Sequence, residues 1–186
     1  MKLSKSVATL LAPAFVAITA LTALPAAYGT GIPAVGNKAP TFILDSQEGT
    51  PVSLKDFRGK WVVLYFYPKD MSKGCTVEAH NFEHDLAIFQ RKNAVVVGVS
   101  VDTVSSHQEF CTKDSLTFKL LADPSHRVTN LYGSLGSYNG TALAERHTFL
   151  IDPQGVIRKV YLKVNPNFHS RKVLMALADF QKGSGQ

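Results

Sequence analysis

Two runs in the chain are continuously apolar and rich in β-branched and aromatic residues. They cover positions 61–67, with the sequence WVVLYFY, and positions 94–101, with the sequence AVVVGVSV. Because neither run alternates with polar residues, each is typical of a strand that is buried on both faces of a sheet. We therefore predict that these runs are the central strands of one sheet.

The segment between these strands repeats its apolar residues with a helical period. The residues at helical spacings are Val77, Phe82, Leu86 and Phe89. Charged residues separate them, and residues 75–92 contain no internal proline or glycine. This pattern predicts an amphipathic helix over the whole segment.

The region after the second central strand predicts another helix and another strand. The helix begins at Ser105 or Ser106 and runs to about Ser115, with Ser106 or a neighbour as its N-cap and Phe110 facing the core. Positions 118–121, with the sequence FKLL, predict a short strand that follows it.

The C-terminal part of the chain predicts a hairpin and a closing helix. Positions 147–152 read as a strand and positions 156–164 as its antiparallel return, since the short turn between them cannot make a parallel crossover. Residues 171–180 place their apolar residues on one face and predict the last helix. Alternating strands and helices followed by a hairpin predict the α/β class, with a mixed central sheet and helices on both faces.

The first thirty residues differ in composition from the rest of the chain. Lys2 and Lys5 precede an almost wholly apolar run over residues 7–23, and Pro25 and several small residues follow it. A basic start, an apolar run and small residues, in this order, are typical of a secretory signal.

Cleavage of this signal is expected after Gly29. Residues 1–29 are then a signal peptide, and residues 30–186 are a single domain that is exported to a periplasmic, secreted or lumenal location. We expect no membrane association after cleavage. The alternative is an uncleaved anchor, because residues 7–27 are about long enough to cross a bilayer.

Composition and charge indicate a globular domain. Hydrophobic residues make up 45% and charged residues 18% of the 186 residues, and they are mixed along the chain, which favours a packed core over disorder. The formal net charge of +6 falls to +4 when the two lysines of the signal are removed. The short basic blocks at 55–60 and 171–172 are not interleaved with aromatic residues, so no nucleic-acid partner is predicted.

Residues 67–78, with the sequence YPKDMSKGCTVE, carry the most informative chemistry. They leave a predicted buried strand and deliver Cys75 to the first turn of a predicted helix. The free N–H groups and the dipole of a helix N-terminus stabilise a thiolate, which is the nucleophilic form of cysteine. Pockets of such sheets also lie at the carboxyl ends of the strands. Cys75 is therefore the candidate nucleophile.

These residues resemble the peroxiredoxins, and within them the peroxiredoxin Q or bacterioferritin comigratory protein group. The likeness runs from about residue 35 to residue 180. Outside the cysteine loop it rests on three segments: 36–40 (GNKAP), 57–68 (FRGKWVVLYFYP) and 121–124 (LADP). The resemblance implies a thioredoxin-like fold and a thiol peroxidase that reduces hydrogen peroxide and organic hydroperoxides.

The resemblance also implies roles for individual residues. The family's active site has the form Pro-x-x-x-Thr/Ser-x-x-Cys, which Pro68, Ser72 and Cys75 match. Pro68 would shield the thiolate, and the hydroxyl of Ser72, where threonine is usual, would bond to the peroxide. The loss of the threonine methyl leaves χ1 freer, which bears on the rate and rigidity of the site. Arg146, before the HTFLID segment, matches the family arginine that stabilises charge at the sulfur.

The resemblance implies that a second thiol resolves the Cys75 sulfenic acid into a disulfide. Many members carry this thiol five residues later, where this chain has His80, and others carry it on the next helix, where this chain has Cys111. Cys111 is therefore the expected resolving cysteine. Two helices that each bury one face should hold these cysteines apart, whereas a disulfide needs Cα atoms within about 7 Å. We therefore expect the first turn or two after Cys75 to unwind and the region of Cys111 to loosen.

The resemblance also implies the electron donor, which is thioredoxin or a thioredoxin-like protein. We expect the protein to be a monomer.

Other functions fit the sequence less well. A structural Cys75–Cys111 disulfide in a binding or scaffold protein is the main alternative, and resistance of the disulfide to reduction would favour it. The absence of a Cys-x-x-Cys disfavours a disulfide oxidoreductase. A zinc site from the two cysteines, His80 and His84 is disfavoured because only the two histidines share an i,i+4 face. The sequence has no nucleotide-binding motif, and no metal or other cofactor is expected.

Overall fold

The computed structural model describes residues 31–183, so the predicted signal segment lies outside the described residues. The strands are β1 (Ile43–Ser46), β2 (Pro51–Ser53), β3 (Trp61–Phe66), β4 (Ala94–Ser100), β5 (Lys119–Ala122), β6 (Leu135–Tyr138), β7 (Thr141–Ala144), β8 (Thr148–Ile151) and β9 (Ile157–Tyr161). The α-helices are α1 (Lys73–Arg91), α2 (Val104–Asp114), α3 (Arg127–Leu131) and α4 (His169–Gly183). Within this part of the chain, no helix is long and apolar enough to span a membrane.

Seven of the strands form one mixed sheet in the order β2-β1-β5-β4-β3-β8-β9. β4 is parallel to both β3 and β5, whereas β8 is antiparallel to β3 and β9 is antiparallel to β8. The parallel pairs are linked by the crossover helices α1 and α2, and the antiparallel pair β8–β9 is linked by a short turn, as the sequence pattern predicts. β6 and β7 form a separate hairpin.

Both faces of the sheet are buried, which explains the continuous apolar runs. Alternate residues of β3 enter two cores: Val63 and Tyr65 face the helices α1, α2 and α4, whereas Val62 and Leu64 face α3 and the segment that precedes β1. The predicted mixed sheet with helices on both faces is therefore confirmed. Within residues 31–183, the second face is covered by the short α-helix α3, by a 3-10 turn at Leu54–Phe57 and by N-terminal residues such as Phe42.

Several element boundaries differ from the sequence prediction. α1 begins at Lys73, two residues before the predicted start at Cys75, because the extended backbone of Ser72 is the N-cap. α2 begins at Val104, and its cap is the side chain of Thr103, which accepts a hydrogen bond from the backbone N–H of Ser106. The predicted start at Ser105 or Ser106, with Ser106 or a neighbour as the cap, is therefore wrong by one to three residues, because Ser106 lies inside the first turn and supplies the N–H that Thr103 caps.

The buried face of α1 also differs in detail from the predicted one. Phe82, Leu86 and Phe89 are buried as predicted, but Val77 is only half-buried. Cys75 and Ala79 are buried at the N-terminal end of this face, together with Glu78. The apolar stripe therefore ends at the cysteine, which brings the start of the helix against the sheet. The hairpins β1–β2 and β6–β7 and the helix α3 were not predicted, since their short segments carry no clear apolar period.

Tyr65 and Gly98 are in very close contact in the middle of the sheet. They are opposite each other in the parallel register of β3 and β4. A Cβ atom at Gly98 would lie 2.9 Å from the ring atoms Cε1 and Cζ of Tyr65 and 2.7 Å from Cδ2 of Leu120. Gly98 therefore leaves the space that the fully buried Tyr65 ring needs.

We expect Gly98→Ala to lower the free energy of unfolding by about 1–3 kcal/mol, because the added methyl must displace buried neighbours on both sides. Chemical denaturation of the reduced protein measures this change. Gly183→Ala is the matched control, since a Cβ at Gly183 meets no atom within 4 Å. Equal stability of the two variants would contradict the close packing around Tyr65.

Candidate active site

Cys75 lies in the first turn of α1, just beyond the carboxyl end of β3. The backbone of Ser72 is extended (φ −74°, ψ 147°), and its carbonyl oxygen accepts the first helical hydrogen bond from the N–H of Thr76 at 2.9 Å. The side chain of Ser72 caps no backbone N–H of the helix. The Cys75 side chain is almost fully buried, with 1% exposure, although it lies beside free N–H groups of the helix start.

Two side chains donate hydrogen bonds to the sulfur of Cys75. The hydroxyl of Ser72 lies 2.7 Å from Cys75 Sγ and 3.0 Å from the carbonyl oxygen of Lys69. The guanidinium of Arg146 donates from Nη2 to the same sulfur at 3.1 Å. A sulfur with two donors, one of them charged, is well placed to be a thiolate. Sequence reasoning placed Ser72 and Arg146 at this site, and both contact the sulfur.

Arg146 is held in place by a buried carboxylate. Its Nη1 donates to Oε2 of Glu78 at 2.6 Å, and Glu78 is only 1% exposed. Burial disfavours the charge on Arg146, but the charges of Cys75 and Glu78 and its hydrogen bonds to them outweigh burial and raise the pKa of Arg146. The guanidinium therefore stays charged between the carboxylate and the sulfur.

Glu78 is the site residue that sequence reasoning missed. It lies three residues after Cys75 on the buried face of α1, which is mostly apolar but also carries the buried acid Asp85. This anomaly was visible in the sequence, because a buried acid needs a partner. The partner itself was not visible, since Arg146 is 68 residues away along the chain.

Gly74 allows Arg146 to approach the helix start. A Cβ atom at Gly74 would lie 2.9 Å from Nη2 of Arg146. The end of an arginine side chain is usually free to move away, but here it is fixed by Glu78 and Cys75. A larger residue at position 74 would therefore push the guanidinium away from the sulfur.

Pro68 lines a groove that borders the site. The groove has a volume of about 620 Å³ and is also lined by Ser72 and Arg146. Leu143 and Ala144 of β7 also line this groove, together with the charged residues Lys69, Glu145 and Lys163. Pro68, Ser72 and Arg146 thus lie together, and the last two contact Cys75, which is the grouping that the family resemblance implies. The groove gives a small molecule with an apolar part access to this cluster.

Cys111 lies on α2 and is not part of this cluster. Both cysteines are free thiols, and Cys111 is half-buried against the core that also contains Cys75. Burial, together with the negative charges of Asp70, Glu48 and Glu83, raises the pKa of Cys111 to about 12. In this closed arrangement Cys111 is therefore a protonated thiol and a weak nucleophile.

His80 and His84 of α1, the two histidines considered for a zinc site, each contact a carboxylate instead. His80 Nε2 lies 3.0 Å from Asp114 Oδ1, and His84 Nδ1 lies 2.9 Å from Asp85 Oδ1. Both histidines are at the surface. Across residues 31–183, no group of three or more His, Cys, Asp or Glu side chains is arranged to hold a metal ion.

The buried Glu78 predicts a pH-dependent stability. Burial raises the pKa of Glu78 from its ordinary value of 4.5 to about 7, although Arg146 opposes this change. The folded state therefore binds the Glu78 proton more tightly than the unfolded chain, so stability is lost as the pH rises from about 4.5 through 7. The free energy of unfolding of the wild type, relative to Glu78→Gln, should fall over this range by up to roughly 3 kcal/mol.

Urea denaturation of the reduced protein at a series of pH values measures this difference. Glu109→Gln, at an exposed position of α2, is the control and should change the stability by less than about 0.5 kcal/mol. A difference between wild type and Glu78→Gln that does not vary with pH would show that burial does not shift the titration of this carboxyl group.

Comparison with known proteins gives consistent results. The AhpC/TSA family model matches residues 35–160. A Helicobacter pylori protein of the peroxiredoxin Bcp type is 46% identical over 147 residues, which cover 77% of this chain and 97% of the relative. Peroxiredoxin Bcp of Bacillus subtilis is 39% identical over 155 residues, which cover 80% of this chain and 97% of the relative.

A solved structure supports the same grouping. A cysteine-to-serine mutant of PrxQ from Xylella fastidiosa superposes with a TM-score of 0.77 at 31% identity, covering 82% of this chain and 99% of that protein. The matched family region contains most of the sheet and the cluster around Cys75. The chain therefore belongs to the AhpC/TSA family, within its peroxiredoxin Q/Bcp group of thiol-dependent peroxidases.

Proposed function

We propose that this thiol-dependent peroxidase reduces hydrogen peroxide and organic hydroperoxides at Cys75, that Cys111 resolves the oxidised sulfur, and that a thioredoxin-type protein supplies the electrons. One observation carries the assignment of Cys75. Its buried sulfur accepts hydrogen bonds from both Ser72 and Arg146 at the N-terminus of a helix. Such an arrangement stabilises a thiolate and holds donors where a peroxide must bind.

The first step is a displacement at oxygen. The Cys75 thiolate attacks one peroxide oxygen, the O–O bond breaks, and the products are the Cys75 sulfenic acid and an alkoxide or hydroxide ion. The leaving oxygen gains negative charge as the bond breaks. Arg146 and the hydroxyl of Ser72 are close enough to the sulfur to donate to the peroxide oxygens, and the leaving ion takes a proton to give water or an alcohol.

The shape of the groove supports acceptance of organic hydroperoxides. The groove reaches the cluster at Ser72 and Arg146, and residues of the β6–β7 hairpin also line it. Leu143, Ala144 and Val164 give it an apolar lining, which suits the carbon chain of an alkyl hydroperoxide. Hydrogen peroxide fits the same space without using this lining.

The second step joins the two cysteines. The thiol of Cys111 attacks the Cys75 sulfenic acid, and a disulfide and a water molecule form. Cys75 must first leave Ser72 and Arg146, so the first turn of α1 unwinds and α2 loosens around Cys111. Opening also exposes Cys111 to water, which removes the burial that raises its pKa. A thioredoxin-type protein then returns both sulfurs to thiols by disulfide exchange.

A structural disulfide is less well supported. A cysteine that serves only as a crosslink needs neither a charged donor nor a buried carboxylate behind that donor. The contacts of Cys75 with Arg146, and of Arg146 with Glu78, fit a reactive sulfur.

Single-cysteine variants test these roles. Cys75→Ser should lower peroxide consumption, with a thioredoxin system as electron donor, to the uncatalysed rate. Cys111→Ser should consume about one equivalent of peroxide and then stop, because its sulfenic acid has no resolving thiol. Stopped-flow peroxide consumption and a count of free thiols measure both results. Full activity of Cys75→Ser would exclude Cys75 as the peroxide-reacting residue.

We also propose export, with residues 30–186 as the mature and monomeric form. The order of charge, apolar run and small residues in positions 1–29 supports cleavage after Gly29. N-terminal sequencing of protein from the exported fraction should begin at Thr30, and sedimentation should give the mass of one chain. An intact Met1 in the membrane fraction would show that the segment is kept as an anchor.

A further inference from the structure

The loop between β3 and α1 contains a buried carboxylate, Asp70, that the peroxide chemistry does not use. Asp70 is 4% exposed and accepts three side-chain hydrogen bonds. The hydroxyl of Tyr67 donates to Oδ1 at 2.7 Å. Ser106 Oγ and His107 Nδ1 both donate to Oδ2, at 2.7 Å and 2.8 Å. We call Asp70, Tyr67, Ser106 and His107 the Asp70 network.

The Asp70 network joins the two parts of the chain that carry the cysteines. Asp70 lies two residues before Ser72, which bonds to the sulfur of Cys75 and starts α1. Ser106 and His107 lie in the first turns of α2, and His107 precedes Cys111 by one helical turn. A single carboxylate therefore ties the loop before Cys75 to the helix of Cys111.

A second contact fixes the same loop. The backbone N–H of Asp70 donates to Oδ2 of Asp102 at 2.9 Å, and Ser100 Oγ donates to the same oxygen at 2.7 Å. Asp102 lies between β4 and α2. The loop is thus held by its backbone as well as by its carboxylate.

Two buried polar atoms beside the Asp70 network favour opening. Among the described residues, Nε2 of His107 and the hydroxyl of Tyr65 are buried without a hydrogen-bond partner. Both residues belong to the region between the sheet and the helices that carry the two cysteines. Unpaired buried polar atoms destabilise the closed state and regain hydration when it opens. The Asp70 network must therefore offset their effect to keep the site closed.

We propose that Asp70, Ser106 and His107 are positioning residues whose hydrogen bonds hold the site closed. We call these bonds the latch, and they set the rate at which the Cys75 sulfenic acid reaches Cys111. This inference rests on the proposed roles of the two cysteines. Disulfide formation requires α1 to unwind at its start and α2 to loosen, and both movements break bonds to the same carboxylate. The stability of this latch then determines how much of the Cys75 sulfenic acid forms the disulfide, with loss of water. The remainder is oxidised to the sulfinic acid when a second peroxide transfers an oxygen atom to it.

The test compares two neighbouring serines of α2. Ser106→Ala removes one hydrogen bond to Asp70. Ser105→Ala is the matched control, because Ser105 Oγ contacts Thr103 Oγ1 at 3.0 Å and is exposed. Asp70→Asn weakens all three bonds and is the stronger variant. We expect amide hydrogen exchange of the reduced protein, in residues 69–82 and 104–111, to rise several-fold in Ser106→Ala and about tenfold or more in Asp70→Asn.

The kinetics of a single turnover provide the second measurement. After one equivalent of peroxide, disulfide formation should be several-fold faster in Ser106→Ala than in the wild type and Ser105→Ala, and the sulfinic product should decrease under excess peroxide. A purely structural role would lower overall stability without accelerating this step. Unchanged exchange in both Ser106→Ala and Asp70→Asn, or disulfide formation that is no faster in Ser106→Ala, would overturn the latch.

The experiment also separates this inference from the proposed function. Hydrogen exchange is measured in the reduced protein without peroxide, so it reports on the Asp70 network alone. Failure of the wild type to form a Cys75–Cys111 disulfide would overturn the role of Cys111, and with it the effect of the latch on resolution. Failure of the exchange difference would overturn the latch while leaving the roles of the two cysteines intact.

Discussion

The ion pair between Arg146 and Glu78 governs the organisation of the active site, because it keeps a positive charge beside a buried sulfur. Cys75 and Glu78 are each 1% exposed, and each would be unstable as an anion in an apolar interior without this partner. One guanidinium serves both, with Nη1 on the carboxylate and Nη2 on the sulfur. The absence of a side chain at Gly74 leaves the space that this guanidinium occupies.

The same site must satisfy two opposing requirements. In the proposed mechanism, reaction with peroxide needs Cys75 enclosed among its donors, whereas resolution needs it to leave them for a second thiol. The closed arrangement meets the first requirement and keeps Cys111 protonated, since burial and nearby acids raise the pKa of that thiol. If the Cys111 thiol ionises only after the site opens, it does not react with peroxide before Cys75 has been oxidised.

The fold supplies the separation that these steps need. The two cysteines lie on successive crossover helices, α1 and α2, on one face of the sheet, and residues of the β6–β7 hairpin line the groove. The central strand β3 behind them is buried along its whole length. In the proposed mechanism, movement is confined to the starts of α1 and α2 and the loop before Cys75, where the contacts of Ser72 and Asp70 hold the closed site.

The central strands, the crossover helices, the final hairpin and the position of Cys75 could all be predicted from the sequence, because each depends on local periodicity or on a strand, loop and helix in direct succession. It pointed to Arg146 only through a family resemblance, since that residue is 71 positions from Cys75. The tertiary structure alone decided that Glu78 holds Arg146 and that Asp70 meets Ser106 and His107. Those contacts join segments that the order of strands in the sheet brings together, and no local pattern of residues encodes which distant side chain will complete a buried charge.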